Sequence, residues 1–162
     1  MKVLGVDPGL QITGYGILDD RSGKPELIEA GIIRSKSSSP LEQRLHDIHI
    51  GIDTAIREFN PDALSVEQIY SHYKHPRTAV IMGHARGVVF LAAGDAGIPV
   101  FSYASTRIKK SITGSGHASK DQIARMICRI LRCDMIEGPV DVTDAIAAAL
   151  CHFNVVTHGG VS

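Results

Sequence analysis

The sequence predicts an α/β fold in which helices flank a five-stranded mixed sheet. Three short apolar segments separated by turn residues open the chain, and helical periodicity then alternates with two further apolar segments. Strands joined by tight turns are antiparallel, whereas strands joined through helices are parallel, so this order predicts an antiparallel meander joined to parallel strands. The chain has 162 residues, and we expect one domain at 1–156 followed by a frayed tail at 157–162.

Three strands are expected in the first part of the chain. An apolar run at Lys2–Asp7 ends at a Pro-Gly turn, Thr13–Leu18 follows, and a polar loop precedes Glu26–Arg34. The remaining elements are, in chain order, a helix over Leu41–Phe59, a strand at Ala63–Glu67, a helix over Thr78–Ala96, a strand at Val100–Tyr103, a short helical segment containing Lys109 and Lys110, a helix opened by Ser119, and a helix over Asp141–Val156.

The composition is typical of a soluble globular protein, with 44% hydrophobic and 21% charged residues. The uncharged apolar stretches are far shorter than the roughly 18 residues that suggest a membrane span, so we expect no membrane segment. Cys128, Cys133 and Cys151 are odd in number and lack Cys-x-x-Cys spacing, so we expect free thiols. Free thiols are typical of a reducing compartment, which predicts a cytoplasmic protein.

Basic residues are concentrated in one part of a chain whose net charge is zero. Between Arg107 and Arg132, seven lysines and arginines accompany one acidic residue, so this basic segment carries +6 and the remainder of the chain carries −6. Such a segment on an acidic body predicts an oriented contact with a polyanion, although a solvated helix face accounts for the same pattern.

Four acidic residues are expected to converge at one edge of the sheet. Asp7 and Glu67 each end a predicted strand, and the helix between these strands makes them parallel. Their side chains therefore lie at the same carboxyl edge, where open α/β sheets bind ligands. Asp141 and Asp144 stand three residues apart at the start of the last helix and share one of its faces.

A divalent cation would offset the repulsion within this cluster, which is about 4 kcal/mol for unit charges about 4 Å apart at an effective dielectric constant of about 20. Oxygen ligands favour Mg²⁺ or Mn²⁺ over zinc, and a pair of such ions suits the attack of water on a phosphodiester. Local roles also account for these residues: the last two aspartates could cap their helix, and Asp7 could stabilise the Pro-Gly turn.

Six motifs, taken in order, resemble those of the RuvC family of Holliday-junction resolvases, the crossover junction endodeoxyribonucleases. Each motif is weak alone, but the ordered combination is specific and spans nearly the whole chain. The motifs are Gly5-Val-Asp7-Pro-Gly9, Thr13-Gly-Tyr-Gly16, Val66-Glu-Gln68, His84-Ala-Arg-Gly87, Gly114-Ser-Gly-His-Ala-Ser-Lys120 and Asp141-Val-Thr-Asp-Ala145.

The resemblance implies an RNase H-like nuclease domain, a homodimer, and magnesium-dependent paired nicking of four-way DNA junctions in recombination and repair. It implies two Mg²⁺ ions per site, with Mn²⁺ as a substitute, and a branch-migration helicase complex of the RuvA and RuvB type as partner. The metal-binding catalytic acids that it assigns are Asp7, Glu67, Asp141 and Asp144.

Three further residues correspond to DNA-contacting positions of the family. Lys109 and Lys120 match its DNA-contacting lysines, and both lie in the basic segment, which gives phosphate binding an independent physical reason. Tyr70 stands where members often have a phenylalanine that acts at the junction centre, so its hydroxyl is a departure from the family.

Three other functions account for parts of the sequence. Asp7-Pro-Gly9 before a Gly-rich hairpin also resembles the phosphate-binding turn of actin-like and sugar-kinase ATPases, but that fold class needs two such domains, which 162 residues do not supply. A catalytically idle DNA-binding module would gain nothing from four acids that face phosphate. A RuvC-like nuclease acting on structured RNA shares the cleavage chemistry and stays open as the alternative.

Overall fold

The fold comprises a five-stranded sheet and five helices within residues 1–20, 23–69 and 76–157, which are the residues that this computed structural model describes. The predicted elements are all present, and their bounds differ from the expected ones by no more than two residues. The last helix reaches Thr157, the first residue of the predicted tail, and 158–162 lie outside the described residues. The elements are β1 (Lys2–Asp7), β2 (Ile12–Asp19), β3 (Glu26–Arg34), α1 (Leu41–Phe59), β4 (Ala63–Glu67), α2 (Pro76–Asp95), β5 (Val100–Tyr103), α3 (Ser105–Thr113), α4 (Lys120–Leu131) and α5 (Val140–Thr157).

The sheet has the strand order β3-β2-β1-β4-β5. β1, β2 and β3 form the expected antiparallel meander, whereas β4 is parallel to both β1 and β5. Val6 of β1 stands beside Val66 of β4, so Asp7 and Glu67 follow two neighbouring residues at the same carboxyl edge. The predicted mixed sheet and the predicted position of these two acids are both confirmed.

Apolar side chains cover both faces of the sheet. Val3 of β1 belongs to the core layer that includes Ile146 of α5, together with side chains of α3 and α4. Its neighbour Leu4 points to the opposite layer, which includes Ile52 of α1 and Val89 of α2. This alternation along β1 is the period of two that a strand imposes, and it places a helical layer on each face.

The most apolar helix, α5, lies within the core. Among the described residues it is the one helix long and apolar enough to span a membrane, but 56% of it is buried inside the protein. It packs against β1 and β2, and Ser65 of β4 donates a buried hydrogen bond of 2.6 Å to the Ala148 carbonyl within it. Its hydropathy is therefore explained by contact with the sheet.

Glycines on β1 and β2 allow α5 to approach the sheet closely. A methyl group at Gly14 would overlap the backbone carbonyl of Asp141, and one at Gly5 would overlap the carbonyl of Ala145. Larger residues at these two positions would hold the helix away from the strands. The two glycines thus set the depth at which the start of α5 meets the carboxyl edge.

We expect Gly14→Ala to lower the free energy of unfolding by about 1–3 kcal/mol, because the added methyl group forces α5 away from β2. Urea denaturation of the variant and of wild type measures the difference. Gly94→Ala is the matched control, since nothing lies within 4 Å of a methyl group at that helical position. The control should leave stability unchanged or raise it by up to about 1 kcal/mol. Equal stability of Gly14→Ala and wild type would contradict the close-approach argument.

Candidate active site

The carboxyl ends of β1 and β4 open into a groove with a volume of about 710 Å³. Five of its lining residues are charged, and each comes from a different element. These residues are Asp7 of β1, Glu67 of β4, Lys109 of α3, Lys120 of α4 and Asp144 of α5. The groove therefore contains three of the predicted acids and both predicted DNA-binding lysines.

The pKa of Asp7 is raised by burial and by the charges of the three other acids. Burial of the carboxyl group is the largest influence, and the negative charges of Asp144, Asp141 and Glu67 add to it in that order. Lys120 opposes them, but the pKa still rises from 3.8 to about 7. Asp141, one turn before Asp144 on α5, thus lies close enough to Asp7 to act on it electrostatically.

The pKa of Glu67 responds to a hydroxyl group that the sequence analysis missed. Partial loss of water raises its pKa, a hydrogen bond from the Ser105 side chain lowers it, Asp144 raises it, and Lys109 and Lys120 lower it. Ser105 begins α3 just after β5, so it stands at the same carboxyl edge as the acids. The rule that located Asp7 and Glu67 would also have located this serine.

Lys120 forms an ion pair with an acid in this structure. Its Nζ lies 3.0 Å from Oδ2 of Asp144, and that hydrogen bond raises the pKa of the lysine. The position of Lys120 is fixed by a capping box at the start of α4: Gln122 N donates to Ser119 Oγ at 3.2 Å, and Ser119 N donates to Gln122 Oε1 at 2.8 Å. The lysine expected to contact DNA is thus a counter-ion of the acidic cluster.

The acidic cluster suits a hard divalent cation. Its donors are all carboxylate oxygens, and burial together with the three other acids raises the pKa of Asp7 although Lys120 lowers it. No three acidic, histidine or cysteine side chains of the described ranges already stand in a metal-ligating arrangement, and Lys120 occupies one oxygen of Asp144. The chemistry of these donors fits a divalent cation, and the side chains would have to rearrange to share one.

The structure bears on two further interpretations of the sequence, the capping role of Asp141 and the free cysteines. Asp141 lies in the first turn of α5, and no hydrogen bond links its side chain to another described residue, so the capping role considered for it is not observed. Tyr70, expected to contact DNA, lies outside the described residues. The three cysteines are free thiols, as predicted.

We expect Asp7→Asn to stabilise the metal-free chain near pH 8, and the gain to vanish as the pH falls towards 4. The pKa of the Asp7 carboxyl is about 7 in the native protein and about 3.8 in the unfolded chain. Between pH 3.8 and 7 the native protein therefore binds one proton that the unfolded chain has lost. The free energy of unfolding of wild type consequently falls as pH rises through this range, by up to about 4 kcal/mol in total. The variant lacks this dependence.

Urea denaturation in EDTA across this pH range measures the effect. Asp47→Asn on α1 is the control, because Asp47 hydrogen-bonds to Gln43 away from the groove. A stability difference between Asp7→Asn and wild type that does not change with pH would contradict the raised pKa.

Comparison with known proteins identifies the family. The sequence profile described as crossover junction endodeoxyribonuclease RuvC matches residues 3–152. The chain is 45% identical over 149 residues to the protein of that name from Rhodopirellula baltica, covering 92% of this chain and 84% of the relative. Thermus thermophilus RuvC, solved in complex with a Holliday junction substrate, superposes with a TM-score of 0.89 at 31% identity, covering 98% of this chain and 96% of that one. The fold is therefore RNase H-like, and the chain belongs to the RuvC family.

Proposed function

We propose that this chain is a magnesium-dependent, structure-specific endonuclease that resolves Holliday junctions by paired symmetric nicking of phosphodiester bonds. The observation that carries the proposal is the convergence of Asp7, Glu67 and Asp144 in one groove flanked by Lys109 and Lys120, in a chain of the crossover junction endodeoxyribonuclease family. We place its role in DNA recombination and repair in the cytoplasm, carried out by one nuclease domain at 1–156.

The four acids, Asp7, Glu67, Asp141 and Asp144, would hold the metal, which we propose to be two Mg²⁺ ions, with Mn²⁺ as a substitute. Bound there, the ions would lower the pKa of the attacking water and stabilise charge on the phosphate oxygens. The acids would supply four negative charges to balance the ions, and the Ser105 hydroxyl, which lowers the pKa of Glu67, would favour its charged form.

The two lysines would bind the phosphate next to these acids. Lys109 already lies close enough to Glu67 to lower its pKa, and Lys120 contacts Asp144 at 3.0 Å. When cations neutralise the carboxylates, Lys120 can exchange its carboxylate partner for a phosphate oxygen, because both are anionic acceptors. The ammonium groups then hold the backbone against the acids and stabilise charge on the phosphate.

We expect Asp7→Asn, Glu67→Gln, Asp141→Asn and Asp144→Asn each to slow junction cleavage roughly 100-fold or more, because several kcal/mol of transition-state stabilisation are lost. Junction affinity should stay within about twofold of wild type, because phosphate contacts supply most of it. End-labelled four-way junctions, linear duplex DNA and structured RNA, each incubated with Mg²⁺, measure activity and substrate choice.

Glu42→Gln, an exposed acid in the first turn of α1, is the control and should cleave like wild type. An acid variant that nicks junctions at the wild-type rate would remove its residue from the site. Cleavage of structured RNA in preference to junctions would establish the alternative, a RuvC-like RNA nuclease.

Lys109→Ala and Lys120→Ala should each weaken junction binding and reduce the slope of log K against log salt by roughly one unit, because each removes one phosphate contact. The effect should be the same for junctions of different sequence. Lys110→Ala provides the matched control: this exposed lysine adjoins Lys109 on α3 but does not line the groove. The phosphate role fails if all three variants change the slope equally or not at all.

We further propose that the protein is a homodimer assembled through α2, with a branch-migration helicase complex of the RuvA and RuvB type as partner. The α2 surface exposes Val80, Phe90 and Leu91, which retain 60%, 37% and 56% of their accessible surface. Methyl groups at Gly83 and Gly87 would meet nothing within 4 Å, so a second helix has room to approach. A two-fold dimer carries two acidic sites related by the symmetry of paired nicks.

Sedimentation equilibrium should therefore give about twice the chain mass of 17.4 kDa. Leu91→Arg should give monomers, because it places a charge in the proposed interface, whereas Val156→Arg on α5 should remain dimeric. A supercoiled cruciform should yield linear product with little nicked intermediate for wild type, and nicked product for Leu91→Arg. A monomeric wild type that accumulates nicked cruciform would contradict the dimer.

A further inference from the structure

We propose that Arg86 is a positioning residue of the active site, which holds the ends of β4 and β5 in place behind Glu67. Arg86 lies on α2, and its guanidinium group reaches both strands. Nη1 donates to the Glu67 carbonyl oxygen at 3.2 Å, and Nη2 donates to the Ser102 hydroxyl at 2.7 Å. This inference rests on the proposed function, because it concerns one of the proposed metal-binding acids.

The sheet gives the end of β4 unequal support on its two sides. Towards β1, the registered pairs end at Val6 and Val66, one residue before Glu67. Towards β5, Glu67 pairs with Tyr103, and Gln68 N donates to the Tyr103 carbonyl at 2.9 Å. Arg86 supplies a donor to the Glu67 carbonyl at the place where the β1 ladder has ended, so it restrains the backbone that carries the acid.

The shape of the guanidinium group suits this task. Its donors form a rigid planar fork, so one side chain can bridge acceptors on two adjacent strands. Its Cζ atom lies 4.4 Å from the centroid of the Phe90 ring, a cation–π contact that adds a third attachment of the guanidinium group. Among the described residues no carboxylate forms an ion pair with Arg86, and both acceptors are uncharged. Its contribution is thus geometric rather than charge neutralisation.

If the Arg86 contacts only stabilised the packing of α2 on the sheet, their loss would have consequences different from the loss of a positioning residue. Loss of a contact that only stabilises packing lowers the free energy of unfolding but leaves the metal affinity of the folded protein unchanged. Loss of a positioning contact lets the Glu67 carboxylate sample more orientations, which weakens metal binding and slows cleavage. Groups that orient metal ligands typically change affinity or activity by about 10- to 100-fold when they are removed.

The experiment compares Arg86→Gln, Arg86→Lys and Ser102→Ala with wild type. Calorimetric titration with Mn²⁺, without DNA, measures metal affinity, and single-turnover cleavage of a four-way junction over a range of Mg²⁺ concentrations measures activity. Arg57→Gln is the matched control, because Arg57 pairs with Asp53 on the outside of α1. Thermal unfolding is recorded for every variant.

We expect Arg86→Gln to bind Mn²⁺ roughly 10-fold more weakly and to need more Mg²⁺ for half-maximal cleavage, with junction affinity within about twofold of wild type. Arg86→Lys should recover stability but not metal affinity, since one ammonium group cannot reproduce the fork. Ser102→Ala, which removes one acceptor only, should show a smaller change in the same direction, and it tests the proposal even if the Arg86 variants fail to fold. Unchanged Mn²⁺ affinity in folded variants would overturn the proposal.

The Mn²⁺ titration also separates this proposal from the proposed function. A wild-type protein that binds Mn²⁺ but leaves junctions intact would refute the resolvase activity. Weaker Mn²⁺ binding by Arg86→Gln in that case would still support the positioning role.

Discussion

The close contact between α5 and the strands β1 and β2 determines where the acids meet. Glycines at positions 5 and 14 leave room for backbone carbonyls of the helix at Ala145 and Asp141. The start of α5 consequently reaches the sheet edge at which β1 ends. Successive residues of a helix differ by about 100° around its axis, so a shift of α5 by one residue would turn Asp144 away from Asp7. The chemistry of the groove thus depends on positions that carry no side chain.

The acidic cluster is an unfavourable arrangement that the rest of the fold tolerates. Burial and neighbouring carboxylates raise the pKa of Asp7 to about 7, and the contact with Lys120 compensates only part of the repulsion. Apolar layers on both faces of the sheet supply the stability that offsets this strain. In the proposed function, a divalent cation would relieve this repulsion, because a cation can interact with several carboxylates at once.

The sequence was sufficient to place Asp7 and Glu67, because the rule that parallel strands share a carboxyl edge needs only the order of elements. The contacts of Arg86 and Lys120 were not predictable in this way. Arg86 meets Glu67 across 19 positions, and Lys120 meets Asp144 across 24 positions, so both contacts depend on how the elements pack in three dimensions. In the sequence, Arg86 stands among small residues, which indicates close helix packing and gives no sign of contact with β4.

The separation of charge along the chain also affects how the molecules behave towards each other. The segment from Arg107 to Arg132, which includes α4 and most of α3, carries +6 and the remainder carries −6, in a chain whose isoelectric point is about 7.1. Such a molecule has no net charge to keep copies apart near neutral pH. In dilute buffer, oppositely charged surface groups of neighbouring molecules attract. Moderate salt, with a Debye length of about 10 Å at about 0.1 M, screens this attraction and makes the protein more soluble.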